Sequence, residues 1–80
     1  MVDRERIAEV ADAIERVKVA AGLSSDNRLA GALDVTKQAL SIWRNRGRVP
    51  ALRACQMELL SQGQVSWQEL APEIIADMEG

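Results

Sequence analysis

Histidine, tyrosine and phenylalanine are absent from this chain of 80 residues, and cysteine occurs once. Without histidine the chain lacks the usual general base near neutral pH and the commonest metal ligand. It has no phosphate-cradling glycine loop and no clustered metal ligands, so neither an enzyme nor a cofactor is expected. The single thiol, Cys55, cannot form an internal disulfide. It falls within a helical pattern and reads as core filling in a protein of the reduced cytoplasm. No stretch approaches the ~18 apolar residues of a membrane span. The opening Met1-Val2-Asp3-Arg4-Glu5-Arg6 lacks the apolar core of a signal peptide. The expectation is a soluble, cytoplasmic chain with no membrane partner.

What is present is helical punctuation. Ile7, Val10, Ala11, Ile14, Val17, Lys18 and Ala21 recur at steps of three and four, one face of an amphipathic helix. Asp3 suits its N-cap and Gly22 its stop. Ser24, Ser25 and Asp26 are capping residues before a short helix ending at Leu33, with Leu29, Ala30 and Leu33 as its apolar face. Asp34 and Val35 form a tight connection, and Thr36 caps a second short helix reaching Asn45. Gly47 can take a positive φ, and Pro50 suits the first turn of a further helix running to about Ser61. Leu52, Cys55 and Leu59 are its expected core side, with Ala51, Ala54 and Met57 near it. Ser66-Trp67-Gln68-Glu69 has the spacing of a capping box, with Val65 and Leu70 placed as a hydrophobic staple. Pro72 interrupts this last turn, Ile74 and Ile75 fold back on the body, and the acidic tail after Ala76 frays.

The pattern predicts one all-α domain of about five short helices. The first spans 1–22, a helix-turn-helix core with the helix after it spans 24–62, and a closing turn with the acidic tail spans 63–80. At this length a chain buries only about 60 % of its unfolded surface, which leaves little room for a deep catalytic cleft.

The formal net charge of −2 conceals a segregation. Residues 1–34 carry −2. Between Val35 and Met57 stand Lys37, Arg44, Arg46, Arg48 and Arg53 with no acid, a charge of +5, and residues 58–80 carry −5. Phosphate binding needs only a local basic stretch, because charges are screened over about 8 Å at physiological salt.

The stretch Asp26 to Arg48, and within it Asp26 to Asn45, has the parts of a helix-turn-helix. Two short helices crossing steeply need a small contact residue, here Ala30, and apolar locks, here Leu29, Leu33, Val35, Leu40 and Trp43. Asp34 occupies the turn, where aspartate enters the left-handed region more cheaply than most side chains. At about 100° per residue from Lys37, Ser41 falls near 40°, Asn45 near 80°, Gln38 near 100° and Ile42 near 140°. On the same scale Ala39 falls at ~200°, Trp43 at ~240° and Leu40 at ~300°. One arc is bulky and apolar; the other holds the residue types that read base edges. Gln38 and Asn45 can each make a bidentate contact to adenine. Ile42 has two readings, contact with a thymine methyl or a rim contact with the Pro50 helix. Trp43 reads as a core lock and Trp67 as a hydrophobic anchor.

The run Leu29-Ala30-Gly31-Ala32-Leu33-Asp34-Val35-Thr36-Lys37-Gln38-Ala39-Leu40-Ser41-Ile42-Trp43-Arg44-Asn45-Arg46-Gly47-Arg48-Val49-Pro50 resembles phage Cro and CI-type repressors, especially the Cro-like YdaS-type antitoxin/repressor domains. The later Trp67-Gln68-Glu69-Leu70-Ala71-Pro72-Glu73-Ile74 resembles the closing element of that family. The resemblance covers roughly Ser24 to Ile75. It implies a lambda-repressor-like fold and binding of operator DNA, commonly as a dimer. By position it implies that Thr36, Lys37, Gln38, Ser41 and Ile42 face the major groove, while Arg44, Arg46 and Arg48 hold phosphates.

Three departures qualify it. Asp34 replaces the usual turn glycine. Asp26 stands where the family often has a glutamine near a phosphate, which suggests a capping role instead. The first helix is longer than the family usually shows, and with Trp67–Ile75 it is a candidate dimer surface.

The expected function is sequence-specific binding of double-stranded DNA by a phage- or prophage-type transcriptional regulator, as a homodimer at least on DNA. Thr36, Lys37, Gln38, Ser41, Ile42 and Asn45 are the candidate base readers, and Arg44, Arg46, Arg48 and Arg53 the candidate phosphate binders. The rival is an antitoxin-like module that neutralises a protein partner through its acidic C-terminal surface.

Overall fold

The computed structural model describes residues 4–71. Five helices, α1 (Arg4–Ala21), α2 (Asp26–Leu33), α3 (Lys37–Arg46), α4 (Ala51–Leu60) and α5 (Trp67–Leu70), make up the regular structure, and no strand occurs among the described residues. The expectations for an Asp3 cap, the fold-back of Ile74 and Ile75, and the acidic tail with Glu73, Asp77 and Glu79 lie outside the described residues. Among the described residues no helix is long and apolar enough to cross a membrane.

Turn chemistry sets the helix ends. The α1 helix stops at Gly22, whose φ of 72° no β-carbon obstructs. There the Leu23 N–H donates to the Lys18 carbonyl at 2.8 Å, closing a Schellman motif. Ser25, rather than Asp26, is the N-cap of α2, its hydroxyl accepting from the Arg28 N–H. Thr36 caps α3 in the same way, accepting from the Ala39 N–H at 3.1 Å. At α5 the Glu69 carboxylate accepts from the Ser66 N–H at 3.0 Å, the return half of the capping box. The flanking staple residues Val65 and Leu70 are both buried.

The core gathers Val10, Ala13, Ile14 and Val17 from α1 with Leu29, Ala30 and Leu33 from α2 and Leu40 and Trp43 from α3. Val49, Ala54, Met57, Val65, Leu70 and Ala71 complete it, with Trp67 packed at its margin. Helix α1 lies against α3, α4 and α5, while α2 lies against α3 and α4. The scaffold therefore holds α3 from one side only.

Helix α4 departs from the expected phase. Leu52 and Leu59 are 68 % and 78 % exposed, and Cys55 is exposed rather than core filling. The buried pair is Ala54 and Met57, which lie about 130–170° round the helix from the middle of that stripe. The cause is tertiary. The Val49 N–H donates to the Leu70 carbonyl at 2.9 Å, and Arg53 Nη1 donates to the Leu33 carbonyl at 2.7 Å. These bonds fix the rotation of a helix that carries apolar residues on every side.

Candidate nucleic-acid interface

The turn between α2 and α3 is built on Asp34, which takes the left-handed conformation at φ 58°, ψ 43°. Its N–H donates to the Gly31 carbonyl at 3.2 Å, and the Val35 N–H to the Ala30 carbonyl at 2.9 Å. The two bonds form a Schellman motif, and Val35 is delivered against the core. The backbone angle expected of the turn is the one observed.

Helix α3 buries Leu40 and Trp43. That rotation leaves Lys37, Gln38, Ser41, Ile42 and Asn45 exposed together on the opposite arc. Ile42 is 47 % exposed. Thr36 is exposed too, although its hydroxyl oxygen already serves the cap. The C-terminal end is held by Gly47 at φ 73°. A β-carbon there would lie 3.0 Å from Ile7 Cγ1 and 3.2 Å from the Ile7 backbone. Glycine is thus required twice, for the backbone angle and for the close approach of α1.

The cations differ in exposure. Arg46 and Arg48 are exposed at the end of α3 and in the connector after it. Arg44 and Arg53, also expected to hold phosphates, are engaged within the fold. Arg53 covers the last carbonyl of α2 and also donates to Gln56 Oε1 at 2.9 Å, a cation placed at the negative end of a helix. Arg44 joins a four-member ion-pair group with Asp26, Glu15 and Lys18. Its guanidinium holds the Asp26 carboxyl far below the usual carboxylate range, with Lys18 adding to the effect. The hydrogen bonds that Arg44 donates to Asp26 in turn raise the Arg44 pKa. A second tie joins α1 to α5, where Arg16 Nη2 meets Glu69 Oε1 at 2.9 Å and Arg16 Nε meets Asp12 at 3.0 Å.

Two features escaped the sequence reading. The ion-pair group was foreshadowed by Lys18, a charge within an apolar stripe, but its partners are distant in sequence. Arg28 is an exposed cation on the outer side of α2, hidden in the acid-rich segment that ends at Asp34. The arrangement as a whole is a rigidly seated helix with a polar outer arc and cations at its C-terminal end. Such an arc offers donors, acceptors and one methyl-bearing side chain, the kinds of group that base edges in a major groove present partners for.

The profile of the bacteriophage CI repressor helix-turn-helix domain matches residues 12–72. That span runs from the middle of α1 past α5. Searches of curated proteins and of solved structures give no significant match.

Proposed function

The chain belongs to the bacteriophage CI repressor helix-turn-helix domain family, and from that premise we propose that it is a sequence-specific repressor that places α3 in the major groove of operator DNA. Membership makes it a DNA-binding regulator; the residue roles that follow extend that membership. Gln38 and Asn45 read adenine edges, Lys37 reads guanine or a nearby phosphate, Ser41 and Thr36 add single hydrogen bonds, and Ile42 meets a thymine methyl. Arg46 and Arg48 bind phosphates beside the groove, and Arg28 reaches the backbone that α2 crosses. Arg44 and Arg53 are left out of the phosphate set because the fold already employs them.

The observation that carries this reading is the exposed arc Lys37, Gln38, Ser41, Ile42 and Asn45 opposite buried Leu40 and Trp43. One such helix reads only a few base pairs, so specific binding requires two copies about one helical turn apart. Selection from randomised duplex DNA followed by sequencing tests both points. The expected product is a two-fold symmetric consensus with half-site centres about 10 base pairs apart. An unenriched pool would overturn sequence-specific recognition, and a consensus with a single half-site would overturn the dimer.

A further inference from the structure

The Asp26 carboxylate grips Arg44 much as a DNA phosphate would. Its two oxygens face the two terminal guanidinium nitrogens, Oδ2 with Nη1 and Oδ1 with Nη2, the latter at 3.0 Å. Glu15 Oε1 accepts from the same Nη2 at 2.6 Å. Lys18 Nζ closes the group, 3.0 Å from Asp26 Oδ1 and 3.1 Å from Glu15 Oε2. Two cations and two carboxylates from α1, α2 and α3 thus cancel. The Arg44 and Asp26 side chains are only 23 % and 22 % exposed, so water screens their pairing less than it would a surface pair.

Position gives the group its significance. Lys37, Ser41 and Arg44 stand at i, i+4 and i+7, one row along α3. Arg44 therefore borders the exposed arc. Released, its guanidinium would stand next to the groups that read sequence, ready to take any phosphate. Held, it ties the last turn of α3 to α1 and α2, just before the contact at Gly47.

We infer that Asp26 acts as an internal substitute for phosphate, keeping Arg44 off the DNA backbone and fixing the rotation of α3, so that the polar arc rather than added charge decides where the protein binds. Asp26 and Arg44 are then positioning residues that set the ratio of specific to non-specific affinity. The inference rests on the DNA-binding reading, and the wild-type arm of the experiment separates the two.

The test compares wild type, Asp26→Asn, Arg44→Met, Arg44→Lys and the double variant Asp26→Asn/Arg44→Met. Each is titrated over a range of salt on the selected consensus duplex and on a scrambled duplex of equal composition. Circular dichroism melts accompany every variant. Asp26→Asn is expected to steepen the log affinity–log salt slope by up to about 0.9, one added phosphate contact. It should tighten scrambled DNA more than consensus DNA. Arg44→Met should leave the slope at its wild-type value and lower the consensus-to-scrambled ratio several-fold. Arg44→Lys, which keeps the charge but not the two-pronged grip, should recover part of that ratio. The double variant should return to the wild-type slope.

A slope flattened by about one in Arg44→Met would mean that Arg44 already holds phosphate, and would overturn the proposal. So would a steepened slope that survives in the double variant, because the gain would then come only from the lost carboxylate. Lowered melting temperatures with an unchanged slope and ratio in every variant would reduce the group to a structural tie, again overturning it. A wild type that binds neither duplex overturns the DNA-binding reading itself.

Discussion

Trp43 and Gln38 occupy the same helix and carry opposite duties. Trp43 is 9 % exposed and belongs to the core that seats α3; Gln38 is exposed on the other arc. Trp43→Ala should therefore cost about 3–5 kcal/mol, a large part of the stability of so small a domain. Chemical denaturation monitored by circular dichroism would measure it. A Trp43→Ala protein that melted like wild type and lost only DNA binding would contradict the inward phase of α3. Gln38→Ala should leave the melt unchanged and cost about 1–3 kcal/mol at one base position. Equal losses on consensus and scrambled DNA would remove Gln38 from the reading set. At this scale the sequence was informative wherever helical phase alone decides exposure, as for Leu40, Ser41 and Trp43. It marked Arg44 and Arg53 as phosphate binders but was silent about their internal pairings, because their partners Asp26 and Leu33 lie 18 and 20 residues away.

The helices owe their boundaries to a few residues with strong local chemistry, which is why those boundaries are legible in the sequence. Ser66 with Glu69, Thr36, Asp34, Gly22 and Gly47 each impose a start, a stop or a left-handed turn regardless of distant neighbours. Gly47→Ala gives the sharpest check. Left-handed backbone costs an ordinary residue about 1–2 kcal/mol, and the new methyl would also displace Ile7. The stability loss should exceed that of Asp34→Ala, whose native aspartate already bears part of the strain. Equal losses in urea melts would show that the Ile7 contact yields freely. Helix α4 illustrates the limit of pattern reading. Leu52, Ala54, Cys55, Met57, Leu59 and Leu60 put apolar groups all round it, so composition could not choose a face. The Val49–Leu70 and Arg53–Leu33 bonds made the choice, and both join segments far apart in the chain.

For the molecule as a whole, charge sets both the acid limit of stability and the salt dependence of binding. Asp26 and Glu69 have folded pKa values below the ordinary carboxylate values, chiefly through Arg44 and Arg16 respectively. A depressed carboxylate stabilises the fold above its unfolded pKa, about 4, and that contribution is lost as pH falls towards the folded value. Melting temperature should therefore drop below about pH 4, and drop less steeply in Asp26→Asn; parallel wild-type and variant profiles would refute the assignment. The same pairing lowers the number of cations that can serve DNA. Of the five basic residues between Asp34 and Glu58, Arg44 and Arg53 are engaged internally, while Lys37, Arg46 and Arg48 stand on the exposed side. If two or three of these, together with Arg28, neutralise phosphates, each protomer contributes a slope of about −2.7 to −3.6 in log affinity against log salt. The undivided basic stretch would have given a steeper slope. Arg46→Ala should reduce it by about one and weaken all sequences alike. Arg16→Ala breaks the tie to Glu69 and should lower the melting temperature while leaving the slope in place. One duplex, three proteins and a salt series decide the matter. A flat wild-type slope, or equal changes in slope from the two substitutions, would mean that the basic stretch only solvates the surface of the fold.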